Sequence, residues 1–404
     1  MVQWKSPMSR HPRTRVAVRY AVAAWLALTV VVACSGSEPP SGTETAGAAS
    51  PGEPPTPPGG PSTPVAGSAT PEDLPSEVKR LLDPALGVDE RYDELIKSVI
   101  VTVDGQPIYE HFSADSGPNA AHNVYSVTKS VMSMLIGIAI DEGSIAGVER
   151  TLAELLPSYV PAMAPGVGDV TLEQLLAMTG GIVTDEAADP FRISAADCVA
   201  DFLSTPLEQP AGTGFGYSSR GSHLLAAIIA QSTGRSVLEF AREKLFDPLG
   251  ISTEPASQPT FNSSEIPDYD SAPGFGWSVD PQGLNLGMFN LRITAADMIK
   301  LGQLYLDGGR WQGKQLVPAN WVQDSTQNRV PEGDSSSGYG YQWWVLQTGR
   351  HQAFAAMGFA GQLIAVVPDL QLVVAVSCQD DPARFAAEAF ISIIETNVVP
   401  LLDG

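Results

Sequence analysis

Ser126 and Lys129, in the stretch Tyr125-Ser126-Val127-Thr128-Lys129-Ser130, are the residue types that could together do covalent chemistry. They open an apolar run, Val131 to Ile140, that has helical length and good helix formers and stops at Asp141-Glu142-Gly143. A three-residue step on a helix puts both side chains on one face, about 5–6 Å apart at Cβ. A serine hydroxyl becomes a useful nucleophile only when a neighbouring base takes its proton. Lysine can be that base only when neutral, and with a reference pKa of about 10.4 very few lysines are neutral at pH 7. Burial against an apolar helix, near another positive group or the helix N-terminus, lowers that value by several units. The pair is therefore read as an acylated nucleophile, Ser126, with Lys129 as its base or proton relay.

Ser-x-x-Lys is a short pattern, and a second copy at Ser76 and Lys79 serves as its control. Ser76 follows Pro75 in a polar segment and reads as a helix N-cap with a solvated charge face. Only Ser126 leads into a helix apolar enough to be buried. Two further stretches offer partners. Phe215-Gly216-Tyr217-Ser218-Ser219 precedes an apolar helix from Leu224. Tyr217 there either reaches the Ser–Lys pair and shares a proton, or packs on the helix as an ordinary loop tyrosine. Ala356-Met357-Gly358-Phe359-Ala360-Gly361-Gln362 joins two expected strands. Gly358 lets backbone approach a ligand closely, and the next amide, that of Phe359, could point at an oxyanion. A plain hairpin turn is the alternative.

The elements that must position these residues follow from periodicity. Ser98 to Val103 and Pro107 to Phe112 predict a β-hairpin about Asp104-Gly105-Gln106 that delivers the chain to Ser126. His351 to Met357, Gln362 to Val367 and Gln371 to Ser377 predict an antiparallel meander, and a final helix runs from about Pro382 to Val399. Between them, helices are expected over Leu172 to Met178, Ala195 to Ser204, Gly221 to Ser232, Val237 to Leu245 and Ala295 to Leu306. Arg192-Ile193-Ser194-Ala195-Ala196-Asp197 and Arg292-Ile293-Thr294-Ala295-Ala296-Asp297 read as one N-cap solution used twice. The pattern predicts an α/β (α+β) domain whose antiparallel sheet is built from both chain ends. The central helices either cover that sheet or form a mostly helical lobe over about residues 150–285.

Residues 1–33 carry Lys5, Arg10, Arg13, Arg15 and Arg19, no acid, and then the apolar run Ala21 to Ala33, which reads as an export signal. Val31-Val32-Ala33-Cys34 resembles the lipobox of a bacterial lipoprotein signal, which implies cleavage before Cys34 and lipidation of its thiol. An ordinary signal or an uncleaved anchor is the alternative. Residues 34–71, rich in Pro, Gly, Ser and Thr, read as a disordered tether, leaving 72–404 as the folded domain. Removing 1–33 takes the formal charge from −22 to −27, which argues against nucleic acid or any anionic surface as a partner bound through charge. Cys198 and Cys378 remain; both sit among apolar residues, as a pair or as buried free thiols.

Other chemistries find no support. No metal-ligand spacing occurs, so no metal or cofactor is expected. Gly308 to Lys314 fits G-x-x-x-x-G-K, but Gln315 follows where a P-loop needs Ser or Thr, so it reads as a helix C-cap and turn. No G-x-S-x-G nucleophile elbow is present. His111, His122, His223 and His351 show no pattern of a catalytic base and read as structural or exposed. Trp343 and Trp344 either wall a pocket or belong to the core.

Taken together, Ser-x-x-Lys, Tyr217-Ser218-Ser219 and Gly358 have the order and spacing of the serine β-lactamase and penicillin-binding-protein superfamily, which residues 72–404 resemble. Thr171 to Leu176, Asp247-Pro248-Leu249-Gly250-Ile251, Asp307-Gly308-Gly309 and Tyr339 to Trp344 are similar to its class C-like branch. The resemblance implies a β-lactamase/transpeptidase-like fold with Ser126 as nucleophile and Lys129 and Tyr217 as the proton-handling pair. It also implies an oxyanion hole from the backbone N–H groups of Ser126 and Phe359, with Gly358 allowing the approach. Ala356 stands where the family's third motif usually begins with Lys or His, a cation that helps hold a substrate carboxylate. Ser219 replaces the frequent Asn of Tyr-x-Asn. These departures are more similar to the esterase and 6-aminohexanoate-dimer hydrolase relatives. The expectation is a membrane-tethered serine hydrolase on the outer face of a bacterial cell membrane, cleaving a small ester or amide through an acyl-enzyme. A β-lactamase or D,D-peptidase is the second reading, and a non-catalytic lipoprotein that binds cell-wall fragments or a partner the third.

Overall fold

The computed structural model describes residues 73–87, 95–114, 116–182, 195–262, 269–270, 272–330, 337–379 and 387–403. The expected signal, the tether and Cys34 lie outside the described residues. The strands, in chain order, are β1 (Ile96–Val103), β2 (Gln106–Phe112), β3 (Ala121–Asn123), β4 (Gly276–Trp277), β5 (Leu291–Thr294) and β6 (Arg310–Trp311). They continue with β7 (Lys314–Gln315), β8 (Gly338–Tyr339), β9 (Trp344–Thr348), β10 (His351–Gly358), β11 (Gln362–Val367) and β12 (Leu372–Cys378).

Seven of these form one antiparallel sheet in the order β2-β1-β12-β11-β10-β9-β8, so both chain ends do feed the same sheet. The β1–β2 turn is two residues, with φ 50° at Asp104 and 71° at Gly105, the left-handed pair a tight hairpin needs. Gln106 pairs with Val103 and belongs to the strand. The inner strands read as unbroken apolar runs because both faces are covered. Leu363, Ala365 and Val367 pack with Val78, Leu82, Phe390 and Ile394 of the helices Leu74–Leu86 and Ala387–Asn397. The alternate residues Ile364 and Val366 share the opposite core with Met298 and Leu301 of Ala295–Leu306. The helices Val127–Asp141, Leu172–Leu176, Cys198–Leu203, Ser219–Thr233 and Val237–Ala241 extend that second core.

Three local expectations need correction. Ser76 does not cap its helix: the helix starts after Asp73, since Pro75 is at home in a first turn, and Ser76 lies inside it. Lys79 is solvated as expected and pairs with Asp83 at 2.8 Å. The expected shared N-cap falls partly on residues 192–194, outside the described residues, and the helix after them begins only at Cys198. Thr294 caps Ala295–Leu306 in a capping box with Asp297, whereas Asp197 itself caps Cys198–Leu203 by accepting from the Ala200 amide at 2.8 Å. Val237–Ala241 gives way to a π turn at Arg242–Phe246 before the expected helix is complete.

The sequence reading has no counterpart for the three-stranded sheet β3-β5-β4, which pairs Asn123 with Arg292. Its strands are two to four residues long, too short to display a period. This small sheet carries the chain into Ser126.

Candidate active site

Every residue from Val127 to Ala139 is buried, the polar Thr128, Lys129, Ser130 and Ser133 included, so the helix behind Ser126 is enclosed on every side. Ser126 is its N-cap residue, half-buried, and its hydroxyl makes no capping bond. Instead Lys129 Nζ donates to Ser126 Oγ at 2.9 Å. Lys129 is only 1% exposed, and its Nζ also donates to Ser219 Oγ at 3.2 Å and to the Met288 carbonyl at 3.0 Å. An ammonium has three donors, one for each of these acceptors. A neutral amine has two N–H groups and one lone pair. Met288 O can only accept, so it always holds one N–H, and Ser219 Oγ can hold the other. The lone pair is then left facing the Ser126 hydroxyl, the orientation a base needs.

Tyr217 borders this pair, with Lys129 Nζ 4.9 Å from its ring centroid. Its ring stacks on Trp344 at 6.0 Å and 16°, and meets Tyr339 edge-on at 6.3 Å. Phe215 joins the same wall, 5.4 Å from Tyr339. Trp343 is fully buried and stacks on Tyr305 at 4.4 Å, whereas Trp344 is half-buried in the aromatic wall.

Gly358 ends β10 against the nucleophile segment. A Cβ there would stand 2.4 Å from the Val124 carbonyl oxygen, a distance no side chain tolerates, so glycine is what lets β10 touch the chain entering Ser126. Phe359 follows, its ring edge-on to Tyr125 at 5.5 Å. The structure thus brings Ser126, Lys129, Tyr217, Gly358 and Phe359 to one place. Ala356 is buried on β10.

Several residues around the site escaped the sequence reading. Tyr125 has φ 45°, a left-handed conformation that costs a non-glycine residue about 1–3 kcal/mol at such sites. It is held at both ends. Its amide donates to Asn123 Oδ1 at 3.0 Å and its hydroxyl to Asp270 Oδ2 at 2.8 Å. Asn123 Nδ2 donates to Asp270 Oδ1 at 2.9 Å and to Asn290 Oδ1 at 2.8 Å. Burial raises the Asp270 carboxyl above the ordinary range, opposed by the bonds from Asn123 and Tyr125 and by the charge of Arg292. Gln342, also buried, ties the helices together: Ser130 Oγ donates to its carbonyl at 2.7 Å, Ser222 Oγ to its Oε1 at 2.8 Å, and its Nε2 to Leu176 O at 2.9 Å. Met288, Asn123 and Asp270 lie far from Ser126 in sequence or in strands too short to read, so no local signal marks them.

Cys198 and Cys378 are both free and buried, and burial pushes the Cys198 thiol up to about 12. Among the described residues no group of three His, Cys, Asp or Glu side chains could hold a metal ion, and no helix is long and apolar enough to cross a membrane.

A seven-stranded antiparallel sheet between helical layers, with Ser126 and Lys129 at the head of a buried helix, is the β-lactamase/transpeptidase-like arrangement. The chain belongs to the beta-lactamase family, whose model matches residues 88–397. It is 26% identical over 324 residues to the 6-aminohexanoate-dimer hydrolase of Paenarthrobacter ureafaciens, covering 73% of this chain and 76% of that one. It is 30% identical over 196 residues to penicillin-binding protein 4 of Amycolatopsis lactamdurans, covering 46% of this chain and 50% of that one. The fold is similar to a penicillin-binding-protein homologue from Caulobacter crescentus, with a TM-score of 0.63 at 19% identity over 84% of this chain and all of that one.

Two outcomes are expected. Gly358→Ala must push β10 away from Val124 and should slow labelling of Ser126 by a fluorophosphonate on the order of 10²-fold, the scale of misplacing active-site groups by about 1 Å. Undiminished labelling of the folded variant would show that the close approach is dispensable. Asp270 has a raised folded-state pKa, so its stabilising contribution is complete below the unfolded value of about 3.9 and is lost as pH rises through the folded value. Asp270→Asn should therefore gain stability relative to the native chain as pH rises from about 4 through that raised folded value, read from urea midpoints. A difference that stays flat with pH would contradict this.

Proposed function

We propose that this beta-lactamase-family chain is a serine hydrolase that cleaves a small ester or amide through an acyl-enzyme on Ser126. The observation that carries the reading is the 2.9 Å contact between Ser126 Oγ and the buried Lys129 Nζ. Ser126 Oγ forms a bond to the substrate carbonyl carbon while its proton passes to Lys129. The carbonyl oxygen, now an anion, is held by the amides of Ser126 and Phe359. The C–O or C–N bond then breaks, and the proton returns to the leaving group through Lys129 and Tyr217. Water attacks the acyl ester by the same proton route and frees Ser126.

The long match to a 6-aminohexanoate-dimer hydrolase supports an amide or ester substrate. The match to a penicillin-binding protein favours a second reading, a β-lactamase or D,D-peptidase, but Ala356 offers no cation for a substrate carboxylate. Fluorophosphonate should label Ser126 in the native chain and leave Ser126→Ala unlabelled. p-Nitrophenyl esters should then be turned over and a chromogenic cephalosporin left intact. An unlabelled, folded protein would favour the binding-only alternative, and rapid cephalosporin hydrolysis the β-lactamase one.

We further propose that Cys34 carries lipid and that residues 34–71 tether the domain to the outer face of the cell membrane. The basic and apolar leader before Val31-Val32-Ala33-Cys34 supports this. A fatty-acid label fed to cells should mark the native protein and leave Cys34→Ala unmarked; a native protein that takes no fatty-acid label would refute lipid anchoring.

A further inference from the structure

His223 and Asp280 form a pair that the chemistry above does not use, and neither side chain is exposed at all. His223 Nε2 lies 3.2 Å from Asp280 Oδ2, and the Gly287 amide donates to His223 Nδ1 at 3.3 Å. A ring nitrogen that accepts carries no proton, so the imidazole is the neutral tautomer with its proton on Nε2, donated to Asp280. The other carboxylate oxygen, Oδ1, accepts from the amides of Gln282 at 2.8 Å and Leu284 at 2.9 Å. Burial raises the Asp280 carboxyl, and the bonds from His223, Leu284 and Gln282 act against it. Phe202 lies edge-on to the imidazole at 5.8 Å, and Cys198, on the same helix as Phe202, is a further titratable group coupled to Asp280.

The pair is linked to the lysine through two short paths. Ser219, one acceptor of Lys129, is one turn before His223 on the helix Ser219–Thr233. Met288, another acceptor, is the residue after Gly287, whose amide His223 holds. The helix and this segment are pressed together: a Cβ on Gly287 would stand 2.5 Å from the Ser222 carbonyl oxygen. We infer that His223 and Asp280 are positioning residues that fix the Ser219 and Met288 acceptors, and so aim the Lys129 lone pair at Ser126. This rests on the serine-hydrolase reading.

Asp280→Asn keeps the shape but alters the bonding. If the asparagine oxygen stays on the Gln282 and Leu284 amides, its NH₂ faces His223 Nε2. The imidazole proton must then move to Nδ1, where it meets the Gly287 N–H, donor against donor. Fluorophosphonate labelling of Ser126, in which Oγ bonds to phosphorus and fluoride leaves, is measured in the full chain as a function of probe concentration and pH. The maximal labelling rate of the variant is expected to fall on the order of tenfold to a hundredfold, with a shifted pH midpoint and unchanged probe affinity. His351→Gln disrupts a second buried-histidine pair, His351 with Asp403, distant in the sheet, and should lower the melting temperature without moving rate or midpoint. A folded Asp280→Asn protein with native rate and midpoint would overturn the positioning role while leaving the hydrolase reading intact. A native protein that takes no label would overturn both. Should the variant not fold, ¹⁵N-histidine NMR of the native chain decides. A proton on His223 Nε2 alone is expected, and one on Nδ1 would overturn the inference.

Discussion

The burial of a lysine governs this site. An ammonium or amine taken out of water is costly unless each of its polar positions is met. Lys129 meets that condition with three acceptors from three parts of the chain: a hydroxyl on its own helix, a hydroxyl on the helix Ser219–Thr233, and a carbonyl at Met288. All three are neutral groups, so the lysine is satisfied without a carboxylate bonded to it through these contacts. Two of them, Ser126 and Ser219, can donate as well as accept, and the third cannot. That asymmetry gives the arrangement a direction, because the carbonyl always claims an N–H.

The second constraint is closeness. Ser126 must meet both the lysine below it and the end of β10 beside it, and the chain enters through a left-handed Tyr125 to do so. Such a conformation persists only when its surroundings over-determine it. Here the backbone amide and the phenol of the same residue are both held, by Asn123 and Asp270, and Asn123 is itself fixed by Asn290 and by its place opposite Arg292 in the small sheet. The large sheet supplies the other wall. Its strand β10 is paired on both sides and ends in the one residue type that can touch the Val124 carbonyl.

What was legible in the sequence followed from length and composition. The meander β10–β12, the β1–β2 hairpin and the helix behind Ser126 are long, strongly patterned segments, and their types came out as expected. Tyr217 was named for its loop and its place before a helix, but its stacking on Trp344 was not, because the two are brought together only by β9. The small sheet was invisible, its strands being too short for a period. Asn123, Asp270 and Met288 were missed for the same reason: each acts through a contact across the fold, and a polar residue in a short segment looks like any other. In the sequence His223 reads as structural or exposed, since it shows no pattern of a catalytic base and nothing nearby marks Asp280 as its partner.

The two sides of the site differ in kind, and that difference bears on what the proposed hydrolase accepts. On one side the polar groups Lys129, Asn123 and Gln342 are buried, Asp270 is half-buried, and each is committed to a partner. On the other side stand Phe215, Tyr217 and Trp344, half-buried and packed on one another through flat ring faces and edges. Rings recognise area and shape, and they discriminate weakly between substrates that differ by a methylene. With alanine at 356, charge does not take over that task at that position. In the proposed hydrolase, chemistry on the rigid polar side would be specified residue by residue and recognition on the aromatic side spread over surfaces, which is why the sequence suggests a nucleophile and its base far more readily than a substrate.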